Sequence, residues 1–124
     1  AIPHRSKRCI GNIVIDVHLG DFTTKVIGFE NHGGQTYNIS SPFGKVLFGN
    51  GNKFGDNQEG FFLKNVIATY LHGPLLSKNP DLADYILHYC LKRKYNEDFV
   101  LTKLDDTFEN KCREQLLDRF LNIC

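Results

Sequence analysis

The chain contains no methionine, no hydrophobic run near the length of a bilayer span, and no surplus of either charge. Each absence excludes something. Without methionine, an initiator included, the sequence reads as a processed chain or an excised piece of a larger protein. Its apolar runs fall far short of the ~18 residues that cross a bilayer, and its amino terminus lacks the charged-then-apolar plan of a signal peptide. A cytoplasmic protein with no membrane insertion is therefore expected. Fifteen Lys and Arg against fourteen Asp and Glu leave a formal charge of +1, so no bulk electrostatic signature for nucleic acid exists. His4-Arg5-Ser6-Lys7-Arg8 is the only basic cluster near the start. The four cysteines, Cys9, Cys90, Cys112 and Cys124, lack close metal-type spacing and are expected to be buried free thiols. With the histidines scattered as well, no metal site is expected. There is no Gly-rich phosphate loop after a strand and no repeat of fixed period.

What is present fits one domain of 124 residues, 41% hydrophobic and 23% charged. Strands are predicted from Ile10 to Val17 and from Lys25 to Glu30, with turn chemistry at His18-Leu19-Gly20-Asp21 between them. Gly44 to Phe48 is a third strand, leading into an exposed loop over 49–57 that is dense in Gly, Asn and Asp. Gly60-Phe61-Phe62-Leu63 and Val66 to Leu71, joined by a turn at Lys64-Asn65, read as a hairpin that delivers His72 at its far end.

From residue 79 the apolar period changes from two to about 3.6. Asn79 is placed to cap a helix, Pro80 fits the first helical position, and Asp81 suits the positive end of the macrodipole. Leu82, Tyr85, Ile86, Tyr89 and Cys90 share one face, and Lys92-Arg93-Lys94 complement the carboxyl end. A second helix is predicted from Asp106, which has capping-box spacing to Glu109, with Phe108, Cys112, Leu116, Phe120 and Ile123 along one stripe. Near-continuous apolar strands call for cover on both faces, yet only two helices follow them. The fold class is α/β, several strands followed by two helices, and an incomplete α/β domain explains it better than a small complete one.

Two motifs carry the candidate chemistry, Asn31-His32-Gly33-Gly34 and Tyr70-Leu71-His72-Gly73-Pro74, each where a β-type run stops. His72 is either a partly buried histidine bonded to a turn or a general base, and its place at a strand end before Gly-Pro favours the base. His32 stands before two glycines. These give either a tight turn needing positive φ or a backbone able to approach a ligand and aim amides at a carboxylate. Arg8 is a surface arginine or a forked clamp on a substrate carboxylate. His4, in an arm, His18, in a turn, and His88, on a helix, read as solvated. No cysteine is a convincing nucleophile: Cys9 follows a basic residue, but nothing around it forms a sharp strand-to-helix turn.

The runs Val26-Ile27-Gly28-Phe29-Glu30-Asn31-His32-Gly33-Gly34-Gln35-Thr36-Tyr37, Gly49-Asn50-Gly51-Asn52 with Glu59-Gly60, and Asn65 to Leu76 with Lys78-Asn79-Pro80 resemble class I glutamine amidotransferases of the cobyric acid synthase type. Within that family the resemblance is closest to the branch that serves as glutaminase subunit of lipid II isoglutaminyl synthases, and it covers nearly the whole chain. The resemblance implies that a cysteine on a nucleophile elbow attacks glutamine and that the released ammonia passes to an ATP-dependent ligase subunit of the Mur-ligase type. That ligase would amidate the D-glutamate of lipid II, and ATP, magnesium and the lipid would belong to it, leaving this chain without a cofactor. By the same resemblance His72 matches the catalytic histidine. Arg8 and the segment Asn31, His32, Gly33 and Gly34 match residues that hold glutamine.

The resemblance also implies that residues 1–124 are the carboxyl-terminal half of the domain, the nucleophile-bearing amino-terminal half being absent, so that the fragment alone should be inactive. Many class I members place a glutamate two residues beyond the histidine, where this chain has Pro74. The orienting acid would then be Asp81, Asp84 or a carboxylate of the ligase. Two other readings stay open. The chain could belong to a cobyric or cobyrinic acid amide synthase, or it could be a non-catalytic interaction module.

Overall fold

The computed structural model describes residues 2–3 and 8–122, with backbone alone for the first pair. His4, Arg5, Ser6, Lys7, Ile123 and Cys124 lie outside the described residues.

The organising unit is a long hairpin. β2 (Cys9–Leu19) and β3 (Phe22–His32) pair antiparallel without interruption, from Leu19 opposite Phe22 to Cys9 opposite His32. Only Gly20 and Asp21 connect them, and Gly20 takes φ 62°, which a residue without Cβ adopts freely. Both strands therefore exceed the predicted spans, and His18 and His32 lie inside strands rather than in turns. His18 is exposed there, with Nε2 3.0 Å from Asp16 Oδ2.

β5 (Gly44–Phe48) adds to the other edge of β2 with a bulge between Val14 and Ile15, and β6 (Gln58–Glu59) adds to β5. β9 (Leu71–His72) pairs with β3, giving a five-stranded antiparallel sheet in the order β6-β5-β2-β3-β9. β7 (Phe61–Leu63) and β8 (Val66–Ala68) form the predicted hairpin, but its second arm breaks at Thr69 and Tyr70 before β9 joins the main sheet. β1 (Ile2–Pro3) and β4 (Gly34–Gln35) make a separate small pair.

Helices cover both faces. α1 (Pro80–Lys94) buries Leu82 with Ile13, Ile15, Val17, Leu19, Val26, Phe43 and Leu71, and Tyr85 stacks on Phe22 at 4.4 Å between ring centroids. α2 (Thr107–Leu121) packs on the opposite face. There Phe120 stacks on Phe48, the cross-strand partner of Val14, and the buried Val14 and Ile27 lie on that side. The cover is thin, because no α2 residue is buried and Phe108 remains 85% exposed.

Where β9 stops, the helices take over the edge of β3. Asn79 does not cap α1 with its side chain. Instead its amide oxygen accepts Ile27 N–H at 2.8 Å, and its amide nitrogen donates to the carbonyls of Ile27 and Leu75 at 2.8 and 2.7 Å. A fully buried carboxamide thus bonds β3 as a further strand residue would. Next along the edge, Arg113 Nη2 donates to the carbonyl of Lys25 at 2.6 Å and reaches Asp81 at 3.2 Å. The predicted capping box of α2 is likewise not formed: Asp106 makes no side-chain cap, and Asp105 accepts Thr107 N–H at 3.1 Å.

The described cysteines are free, and only Cys9 is buried; Cys90 and Cys112 are exposed. α1 buries only Pro80 and Leu82 and α2 nothing, so thiols further along them stay at the surface. No helix among the described residues is long and apolar enough to cross a membrane.

Candidate active site

Successive side chains of a strand point to opposite faces, and this alternation sorts the site residues. On β3, Val26, Gly28, Glu30 and His32 face the α1 side together with Leu71, the partner of Glu30. Ile27, Phe29 and Asn31 face the α2 side together with His72, the partner of Phe29. Val14 and Ile27 are buried on that side, but beyond them Ile10, Asn12, Asn31 and His72 are all exposed. This open end of the face gathers three of the sequence-predicted residues. His72 lies diagonally across from Asn31, a relation that spans about 7–8 Å in an antiparallel pair. Arg8 Nη2 donates to Asn31 Oδ1 at 2.9 Å. Gly33 leaves room for the guanidinium, since a Cβ there would stand 3.2 Å from Arg8 Nη1.

His72 is held by what surrounds its backbone. Glu59 is fully buried and accepts Thr69 Oγ1 at 3.0 Å and Tyr70 N–H at 2.7 Å, which fixes the two residues that carry the chain from β8 into β9. Burial pushes the Glu59 carboxyl up to about 7, although the bonds from Tyr70 and Thr69 pull it the other way. After His72 the chain turns at Gly73, φ 127°, into Pro74. The imidazole is thereby presented at a sheet edge and left exposed, the mounting a general base requires.

His32 lies elsewhere. Its ring is on the opposite face, 6% exposed and stacked on Tyr70 at 3.8 Å, with Nδ1 2.7 Å from the carbonyl oxygen of Gly34. Neither Gly33 nor Gly34 has positive φ, so the tight turn expected from these glycines is not formed. Of the four residues in that motif, Asn31 offers its side chain and Gly33 its surface to the open face. Cys9 stands opposite His32, buried, and that burial pushes its thiol up, so it is neither placed nor activated as a nucleophile. Asp81 is committed to Thr24, Arg113 and its own helix start through Leu82 N–H at 2.9 Å. Among the described residues no carboxylate is hydrogen-bonded to His72. Glu59 and Asn79 were not singled out for these tasks by any sequence pattern, because a buried carboxylate or amide bonding main chain looks like a polar loop residue in the sequence.

A profile of the CobB/CobQ-like glutamine amidotransferase domain matches residues 2–80. The lipid II isoglutaminyl synthase (glutamine-hydrolyzing) subunit GatD of Staphylococcus aureus (strain N315) is 40% identical over 115 residues, which cover 93% of this chain and 46% of that protein. The subunit of the same name from Streptococcus pneumoniae (strain ATCC BAA-255 / R6) is 39% identical over 115 residues, covering 91% and 44%. The chain thus spans a little under half the length of these curated relatives. The profile takes in the whole sheet and ends at the Asn79-Pro80 junction that docks α1. On these grounds the chain belongs to the CobB/CobQ-like glutamine amidotransferase family.

Proposed function

We propose that this chain is the carboxyl-terminal, histidine-bearing part of a cytoplasmic glutaminase that supplies ammonia to an ATP-dependent ligase subunit of the Mur-ligase type, for amidation of the D-glutamate of lipid II. The names of both relatives support the reaction, and the exposed His72 beside the Arg8–Asn31 pair is the observation that carries the site. A cysteine outside this chain is the nucleophile. His72 takes its thiol proton as sulfur attacks the carboxamide carbon, then gives that proton to the leaving nitrogen as the C–N bond breaks. Ammonia departs and a glutamyl thioester remains. Water, losing a proton to His72, attacks the thioester, and glutamate and the free thiol are restored.

Arg8 and Asn31, with the main chain from His32 through Gly34, hold the α-carboxylate and amino group of glutamine. Pro74 stands where many class I members place an orienting acid, Asp81 is engaged at Arg113 and Asp84 lies by Asp106, so in this reading the acid that orients His72 comes from the ligase subunit. ATP and magnesium bind the ligase, and this chain carries no cofactor for the transfer. The test supplies the full-length protein and its ligase subunit with lipid II, ATP, magnesium and glutamine labelled at the amide nitrogen. Label in a new amide on the D-glutamate supports the assignment. Glutamine hydrolysis with unmodified lipid II, or label accepted only by a corrin carboxylate, replaces it.

A further inference from the structure

On the α1 face of the sheet, across from His72, the hairpin brings together three groups able to bind metal. Cys9 and Glu30 are fully buried and His32 nearly so, and one ligand atom from each lies within 4.8 Å of the other two. They come from scattered positions because β2 and β3 pair so that Cys9 stands opposite His32, with Glu30 two residues along on the same face. From these we propose that Cys9 Sγ, Glu30 and His32 Nε2 form a binding site for one divalent cation of the zinc class.

His32 provides the decisive observation. Its Nδ1 donates to the carbonyl oxygen of Gly34 at 2.7 Å, which leaves Nε2 as the nitrogen with the lone pair. That atom is buried without a hydrogen-bond partner and points at Glu30 Oε2 from 3.6 Å. Such a separation is too long for a hydrogen bond. It lies just outside the about 3.3–3.5 Å that separates a nitrogen from an oxygen ligand on one tetrahedral zinc, a gap a small side-chain shift closes.

The outer partners of a metal site are also in place. Glu30 Oε1 accepts Asn50 N–H at 2.8 Å and its side-chain amide at 2.9 Å, while Oε2 accepts Gly51 N–H at 3.1 Å. Gln35 Nε2 approaches Cys9 Sγ at 3.7 Å, and Tyr70 stacks flat on the imidazole, 8° between planes. Bonds of this kind orient first ligands and hold the histidine tautomer. A thiolate, a carboxylate and a neutral imidazole sum with a divalent ion to zero charge, which suits a buried site. Sulfur, nitrogen and oxygen together favour zinc over calcium or magnesium, which take oxygen. The ion would tie the two ends of the hairpin together directly beneath Asn31.

The test measures metal in the full-length wild-type protein, stripped with chelator and titrated with zinc and, separately, with cobalt. One equivalent of zinc is expected, with X-ray absorption showing a single sulfur at about 2.3 Å beside nitrogen and oxygen at about 2.0–2.1 Å. Cobalt should give a thiolate charge-transfer band that Cys90→Ser and Cys112→Ser keep and Cys9→Ser loses. Failure of the wild type to bind either ion, a shell without sulfur or with several sulfurs, or a band retained in Cys9→Ser would overturn the site. The wild-type measurements decide the matter even if Cys9→Ser does not fold.

Discussion

Gly28 and Leu71 touch across β3 and β9 so closely that a Cβ built on Gly28 would lie 2.8 Å from both Cγ and Cδ2 of Leu71. Leu71 is the residue before His72, so the missing side chain on one strand sets how near the histidine-bearing strand can come. Gly28→Ala should cost about 1–3 kcal/mol by overpacking and lower glutamine turnover of the full-length protein. Adding Leu71→Ala should return part of that turnover. A single variant equal to wild type in both urea midpoint and turnover would show that this contact does not place β9.

Asn79 should be among the least replaceable polar residues. Asn79→Ala leaves Ile27 N–H and two carbonyls without their partner at a buried edge, a loss of about 2–4 kcal/mol. Asn79→Asp keeps the acceptor but aims a carboxylate at two carbonyl oxygens, and should be at least as damaging. Urea unfolding of the three proteins checks the order, and a stable Asp variant would refute the strand-like role of the amide.

Glu59 makes stability depend on pH in a stated direction. Its folded value of about 7 lies above the ordinary 4.5, so between these values the folded protein holds a proton that the unfolded chain has lost. The contribution is therefore full below about pH 4.5 and declines as pH rises toward 7, by about 3 kcal/mol in all. Glu59→Gln, which keeps an acceptor for Tyr70 N–H, should remove that slope. Urea midpoints at pH 5 and pH 7.5 give the comparison, and identical slopes in both proteins would contradict it.

Arg8 is predicted to act in binding. Arg8→Ala should raise the Michaelis constant for glutamine at least about tenfold while leaving the maximal rate nearly unchanged, the signature of lost uniform binding. An unchanged constant would return Arg8 to the role of a surface partner for Asn31.

The helices were legible because their apolar period is long and Pro80 marks a start. Strand ends were less so. Val26-Ile27-Gly28-Phe29 is apolar throughout, hiding the alternation that sends Asn31 outward and His32 inward, and the Asn31-His32-Gly33-Gly34 run looks like a turn that stops the strand at Glu30, two residues early. The meeting of Cys9 with His32 depends on the hairpin register, which follows once the turn is narrowed to Gly20-Asp21 but not from a four-residue turn. Asn79 and Glu59 were out of reach for another reason: their partners are main-chain groups of Ile27, Leu75 and Tyr70, chosen by packing rather than by any local pattern. His72 was readable because its strand end and its Gly-Pro exit are adjacent in the sequence.

The most direct measurement is ammonia release from glutamine by the full-length protein, assembled with its ligase subunit and carrying His72→Ala, with His18→Ala as an exposed-histidine control. Loss of turnover by about 100-fold or more in the His72 variant alone, with the subunits still associated, is the expected result. Turnover within a few-fold of wild type would contradict the assignment of His72 as the base.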